Sequence, residues 1–131
     1  MQALDELVAD AEEILRRLEL PYQVMLLCTG DLGFAMTKTF DLNAWAAGSQ
    51  EWLEVASISN ANDYQARRAR IRFRREAGSD TEYPHTLNGS GVAIPRTLIA
   101  ILENNQQADG SVVVPRVLRP YMGGLDTISP P

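Results

Sequence analysis

The chain has 131 residues, 45% of them apolar and 22% charged. This is ordinary globular usage with room for one domain, and it excludes wholesale disorder. The net charge of −5 excludes a general basic field for nucleic acid, and no apolar run approaches the roughly 18 residues of a membrane span. One cysteine, Cys28, and one histidine, His85, exclude an internal disulfide and leave too few ligands for a zinc cage. The acidic N-terminal segment has the wrong sign for a secretory or transit peptide. The expected setting is a soluble cytoplasmic domain with no membrane partner.

Taken in chain order, residues 3–18 predict an amphipathic helix. Leu4, Leu7, Val8, Ala11, Ile14, Leu15 and Leu18 form one apolar stripe at spacings of three and four. Asp5 and Glu6 suit its first turn and Arg16 and Arg17 its last, and Pro21 ends it. The apolar run 22–28 predicts a short buried strand, and Thr29-Gly30-Asp31-Leu32-Gly33 a loop. Residues 35–45 alternate, with Met36, Phe40, Leu42 and Ala44 on one face and Thr37, Thr39, Asp41 and Asn43 on the other. After a turn at Gly48, residues 51–59 alternate again, which predicts a hairpin.

A short helix through 63–66, capped by Asn60 or Asn62, follows. Residues 70–75 predict a strand with Ile71 and Phe73 facing inward, and 83–88 another. The helix expected at 92–105 has Ile94, Leu98, Ile101 and Leu102 as its buried stripe, with Pro95 in the first turn. Residues 111–114 read as a short edge strand, and the chain from Gly123 onward as a frayed tail. Antiparallel strands between terminal helices give an α+β fold.

Three features break these patterns. Lys38 lies on the face of Met36, Phe40 and Leu42, and Glu54 on the face of Trp52, Ala56 and Ile58. An ionised group on a core-facing side costs several kcal/mol unless it is paired or opens on a cleft. Two readings stand: structural pairing, or a cleft in which Glu54 meets a metal or ligand. Second, Asn88-Gly89-Ser90-Gly91 joins a strand to a helix start, with Arg96 about one turn in. Unsatisfied helix amides and a guanidinium suit a phosphate or carboxylate, although the P-loop spacing is absent. Third, six arginines fall between positions 67 and 75. They are either a phosphate-holding cluster or a solvated face neutralised by the acidic first helix.

The stretch His85-Thr86-Leu87-Asn88-Gly89-Ser90-Gly91-Val92-Ala93-Ile94-Pro95-Arg96-Thr97-Leu98, followed by Ile101-Leu102-Glu103-Asn104, resembles motif 3 of seryl-tRNA synthetases. The stretches 27–33, 38–42, 65–68 and 118–124 resemble the same family in order and spacing. The resemblance implies part of a class II aminoacyl-tRNA synthetase catalytic domain, an antiparallel sheet flanked by helices. Residues 1–124 are then the C-terminal portion of that core, with motif 3 at about 85–104, and 125–131 are a flexible tail. The implied chemistry is ATP- and Mg²⁺-dependent activation of serine to seryl-adenylate and transfer to tRNA(Ser), by a homodimer in the full-length family.

Residue by residue, the resemblance puts Glu54, Val55, Ala56 and Ser57 in the ATP-contacting strand, with Glu54 and Ser57 as magnesium ligands. It puts Ser90, with Asn88 nearby, on serine, and Arg96 on the ATP phosphates. A regular strand points residues 54 and 57 to opposite faces, so the magnesium pair needs a local irregularity. Ala56 replaces a residue that is often serine in the family. Motif 1, motif 2 with its arginine and serine-contacting glutamate, and the tRNA-gripping helical arm are not in this sequence. The chain is expected to start partway through the catalytic domain and to be inactive in isolation. Two other readings are an amino acid:carrier-protein ligase relative and a non-catalytic paralogue that binds a partner.

Overall fold

The computed structural model describes residues 2–130. The amphipathic stripe forms helix α1, Gln2–Arg17, burying Leu4, Val8, Ala11 and Leu15. Strands β1 (Tyr22–Leu26), β2 (Lys38–Ala46), β3 (Glu51–Asn60) and β4 (Leu87–Gly89) make one antiparallel sheet in that spatial order. Helix α2, Tyr64–Ala69, follows β3, and helix α3, Ile94–Asn105, follows β4. Helices α1 and α3 both pack against β2 and β3. The α+β class and the antiparallel sheet with flanking helices are those read from the sequence. Among the described residues no helix is long and apolar enough to cross a membrane.

The core lies between these helices and one sheet face, around Leu4, Leu15, Leu42, Ala44, Val55, Ala56 and Ile58. Gly89 lies in a tight approach to its β3 partner Ile58 and to Leu7 of α1. A Cβ there would stand 3.0 Å from Ile58 Cγ1 and 3.3 Å from Leu7 Cδ2.

Four expectations are corrected. The apolar strand β1 is not buried, because it is an edge strand of the sheet, and Val24, Met25 and Leu26 are exposed. Helix α3 does not bury Ile94, Leu98 and Leu102; Ile94 is 74% exposed and Leu98 51%. Its buried side is instead the small pair Thr97 and Ala100, where the helix packs against β2 and β3. The large side chains Ile94, Leu98 and Ile101 then line an apolar groove of about 360 Å³ shared with Ile14, Leu18, Val117 and Leu118. Residues 70–75 form no strand beyond one bridge, Phe73 to Glu82, and Ile71 and Phe73 are exposed. The segment expected as a tail is tied back: strand β6, Thr127–Ile128, pairs antiparallel with β5, Val112–Val113. Pro131 lies outside the described residues.

The β2–β3 turn is pinned to α3. Glu103 Oε2 accepts hydrogen bonds from the Gly48 and Ser49 amides, both at 2.9 Å, and from Ser49 Oγ at 3.0 Å. The Ser49 amide and hydroxyl and the Gly48 amide hold the carboxyl of Glu103 below its ordinary 4.5. A lowered folded-state pKa contributes stability that is present above the ordinary value and lost as pH falls through the lowered one. Glu103→Gln is therefore expected to lower the melting temperature at neutral pH. The gap from the parent should narrow steadily in melts taken below pH 4.5.

Candidate active site

The pairing of β2 with β3 slips by one residue. Leu42 faces Ala56 and Asn43 faces Glu54, so Val55 is the extra residue of a bulge. Val55 and Ala56 are consecutive yet both buried. Glu54 consequently joins Asp41, Asn43 and Ser57 on the face away from the helices. The face assignment made from alternation is corrected at this point: Glu54 does not share a face with Ala56 and Ile58. The irregularity demanded by a Glu54–Ser57 pair is present. Lys38 meets the other resolution, since its ammonium stays on the helix side, 4.6 Å from the Phe40 ring centroid.

That outer face carries a polar cleft of about 630 Å³. Its floor is Thr39, Asp41, Glu54, Ser57 and Ser59; Asn88 and Ser90 form one wall, and Leu27, Asp31, Gly33 and Met36 the other. The floor is built by register. Thr39 pairs with Ser59 across β2 and β3, and their hydroxyls share a buried 2.8 Å hydrogen bond. Ser59 pairs in turn with Asn88 of β4, and the Ser90 amide donates to the Ser57 carbonyl at 3.4 Å.

The start of α3 is locked onto the bulge. The Ala93 amide donates to the Val55 carbonyl at 2.5 Å. One turn on, Arg96 Nη1 donates to the Glu54 carbonyl at 2.5 Å and stands 3.8 Å from Glu54 Oε1. Arg96 and Glu54 are both about half exposed, so their guanidinium and carboxylate stay open to a bound molecule.

Of the residues singled out in the sequence, Glu54, Ser57, Asn88 and Ser90 line one cleft, and Arg96 adjoins it through Glu54. The side chains of Val55 and Ala56 point into the core, so only their backbone is available to a ligand. Asp41 was missed. Asp41 lines the cleft, and one of its carboxylate oxygens, Oδ1, is buried without a hydrogen-bond partner, an uncommon state for a buried polar atom. The signal was the polar face Thr37, Thr39, Asp41 and Asn43, which alternation revealed but could not place over a cavity. Cys28 is exposed and outside the cleft.

Glu54 and Ser57 offer oxygen donors alone, the chemistry of a hard cation such as magnesium. Among the described residues no group of three or more acidic, histidine or cysteine side chains gathers as a full metal cage. Magnesium fits this pattern, because it is commonly held by one or two protein oxygens together with substrate phosphates.

Residues 1–105 match the family model of the tRNA synthetase class II core domain (G, H, P, S and T). The chain is 63% identical over 127 residues to a serine–tRNA ligase of Thermomicrobium roseum, covering 97% of this chain and 28% of that protein. It is 64% identical over 125 residues to one of Roseiflexus sp., covering 95% of this chain and 30% of that protein. In structure it resembles the seryl-tRNA synthetase of Pyrococcus horikoshii complexed with ATP, with a TM-score of 0.95 and 43% identity over 99% of this chain and 29% of that one. It also resembles the cytoplasmic serine–tRNA ligase of Naegleria fowleri in complex with AMP, with a TM-score of 0.89, 40% identity and 98% and 30% coverage. The chain thus spans under a third of the length of these relatives.

The Thr39–Ser59 hydroxyl pair gives a direct test of the cleft floor. Thr39→Val leaves the buried Ser59 hydroxyl without its partner and is expected to cost about 1–3 kcal/mol. The double variant Thr39→Val/Ser59→Ala should cost less than the two single changes added together. Urea unfolding midpoints of the four proteins measure this coupling.

Proposed function

The chain belongs to the class II tRNA synthetase core-domain family, and from that premise we propose that it supplies the ATP- and serine-binding floor of a serine–tRNA ligase. Residues 85–104 serve as its motif 3. The observation that carries this reading is the bulge at Val55, which puts Glu54 and Ser57 on one face of β3, beside Arg96 and opposite Ser90.

In this reading Glu54 and Ser57 hold Mg²⁺, which when bound supplies charge neutralisation to the polyphosphate. Arg96 swings its half-exposed guanidinium from Glu54 onto phosphate oxygens, a bidentate match. Val55 and Ala56 act through the backbone, fixing the bulge while their side chains anchor it in the core. Ser90 and Asn88 hydrogen-bond the amino acid, and the Asp41 carboxylate on the cleft floor accepts from its ammonium group. The cleft thereby orients the serine carboxylate toward the α-phosphate, and RNA receives the seryl group in the second step. Nothing in this arrangement needs a covalent enzyme intermediate; rate comes from positioning and fixed charge.

The cleft lining includes three carboxylates, Asp31, Asp41 and Glu54, and no lysine or arginine, so Arg96 alone would face the growing phosphate charge. Loss of one preorganised contact of this kind typically costs ~10²–10³ in rate. The isolated chain is therefore expected to show no robust serine-dependent ATP–pyrophosphate exchange.

Ligand binding is separable from turnover. Thermal melts with Mg²⁺ and a non-hydrolysable seryl-adenylate analogue are expected to rise, by an amount equivalent to about 2.7 kcal/mol at a hundredfold excess over Kd. Glu54→Gln, Ser90→Ala and Arg96→Ala should each shrink the rise. Replacing the seryl group with a bare AMP should abolish the effect of Ser90→Ala alone. A melt indifferent to the analogue would overturn the assignment of this cleft.

A further inference from the structure

The arginine cluster is the strongest charged feature that the cleft does not use. Its two ends are neutralised locally: Arg67 Nη2 lies 2.7 Å from Asp63 Oδ2, and Arg75 Nε 2.8 Å from Glu82 Oε1. Arg68, Arg70, Arg72 and Arg74 have no ion-pair partner among the described residues. Among the described residues no carboxylate of the first helix pairs with them; its Glu12 and Glu13 pair instead with its own Arg16 and Arg17. All four open arginines are exposed.

These cations are interleaved with aromatic rings. The guanidiniums of Arg67 and Arg72 lie 4.6 and 5.0 Å from the Tyr83 ring centroid, and that of Arg68 lies 5.3 Å from Tyr64. Arg72 Nη2 also donates to the Tyr83 hydroxyl at 2.8 Å. Arg74 donates to the Ser79 carbonyl and Arg70 has no side-chain partner among the described residues. Flat cations held among rings beside further exposed guanidiniums match a flexible polyanion that carries stackable bases. An acidic peptide or an anionic membrane surface would be drawn by the same charge.

Position decides which polyanion. The arm, residues 61–86, leaves β3 after Asn60 and returns at Leu87, and those two residues are paired. Its root is stitched by the Ala61 amide to the Thr86 carbonyl and by the Thr86 amide to the Asn62 carbonyl. The next pair along is Ser59 with Asn88, both lining the cleft. Glu54 and Arg96 lie toward the other end of β3, six residues or about 20 Å from the arm's root at strand rise. A nucleotide at Glu54 and a chain arriving over the arm would therefore meet in the middle, at Ser57, Ser90 and Asn88.

We propose that this arm is the surface on which the single-stranded 3′ end of an RNA lies as it enters the cleft. Arg68, Arg70, Arg72 and Arg74 take its phosphates, and the guanidinium planes held over the Tyr83 and Tyr64 rings offer its bases a stacking surface. The inference rests on the cleft being the aminoacylation site, and its test separates the two.

Fluorescence anisotropy with the full 131-residue chain compares a labelled RNA hairpin carrying a single-stranded 3′ tail with the same hairpin blunt-ended. The tailed RNA is expected to bind more tightly. Replacing all four open arginines by alanine should weaken it by about tenfold or more at low salt. The log-affinity against log-salt slope should fall by up to about 3, at roughly 0.7 per single-strand phosphate contact. The four Arg→Lys replacements should keep most of the slope and lose the preference for the tail; this variant decides the matter if the alanine protein does not melt cooperatively. Equal binding of tailed and blunt RNA, or unaltered binding by the variants, overturns the proposal. The seryl-adenylate melt on the same proteins reports the cleft separately: a parent that ignores the analogue sinks the cleft reading whatever the RNA does. An arm variant that keeps the analogue's shift while losing RNA supports the arm.

Discussion

A single extra residue in β3 organises this molecule. With Val55 inserted opposite the Leu42–Asn43 step, the strand keeps Ala56 and Ile58 in the core and still turns Glu54 outward beside Ser57. A regular strand of the same sequence would drive the Glu54 carboxylate under the helices, at a cost of several kcal/mol unless a partner followed it. The bulge also supplies the docking point for α3. Val55 gives its carbonyl to Ala93, and Glu54 gives its own to Arg96. The start of the helix, the arginine and the carboxylate are therefore set by one irregularity rather than by three separate arrangements. Bulges re-aim side chains in this way beside many functional sites.

The sheet separates two kinds of energetics on its two faces. The inner face is close-packed, with small residues where α3 comes near and leucines and isoleucine beneath α1. The outer face is lined by hydroxyls, amides and carboxylates, tolerable there because the deepest polar pair, Thr39 and Ser59, satisfies itself. Asp41 is the exception, with one oxygen left over. A protein that buries an acceptor without a partner forgoes stability at that point. The present partners of Arg96 are a carbonyl and a carboxylate that a bound phosphate would outcompete in charge.

Much of this was legible in the amino-acid sequence, and the failures share a cause. Helix α1 follows from its stripe, and the β2–β3 hairpin from two alternating runs about a turn. Glu54 announced itself by breaking parity, and Arg96 by its distance from the glycine-flanked turn. Periodicity, however, says that a face is apolar and not what lies over it. Helix α3 shows this: its stripe is real, yet Thr97 and Ala100 decide the packing and leave Ile94 and Leu98 on a groove. The run in β1 carries core-like composition on an edge, and Ile71 and Phe73 alternate without a sheet to face. The tie between β5 and β6 is a long-range pairing of two-residue strands, below what any local pattern signals. Asp41 escaped notice because a polar side chain on a polar strand face is unremarkable until the cavity is seen.

The pairing of Asn60 with Leu87 has a topological consequence. Everything between them is an excursion that leaves the sheet and returns to the same rung, so its length does not enter the register of β3 with β4. Closing a longer excursion between two fixed ends costs only about 0.6 kcal/mol per doubling. Growth, shortening or recharging of the arm would thus leave Ser59 and Asn88 facing each other across an unchanged cleft wall. The fold has, in effect, an adjustable appendage on a fixed rung, free to diversify while the chemistry beneath it stays in place.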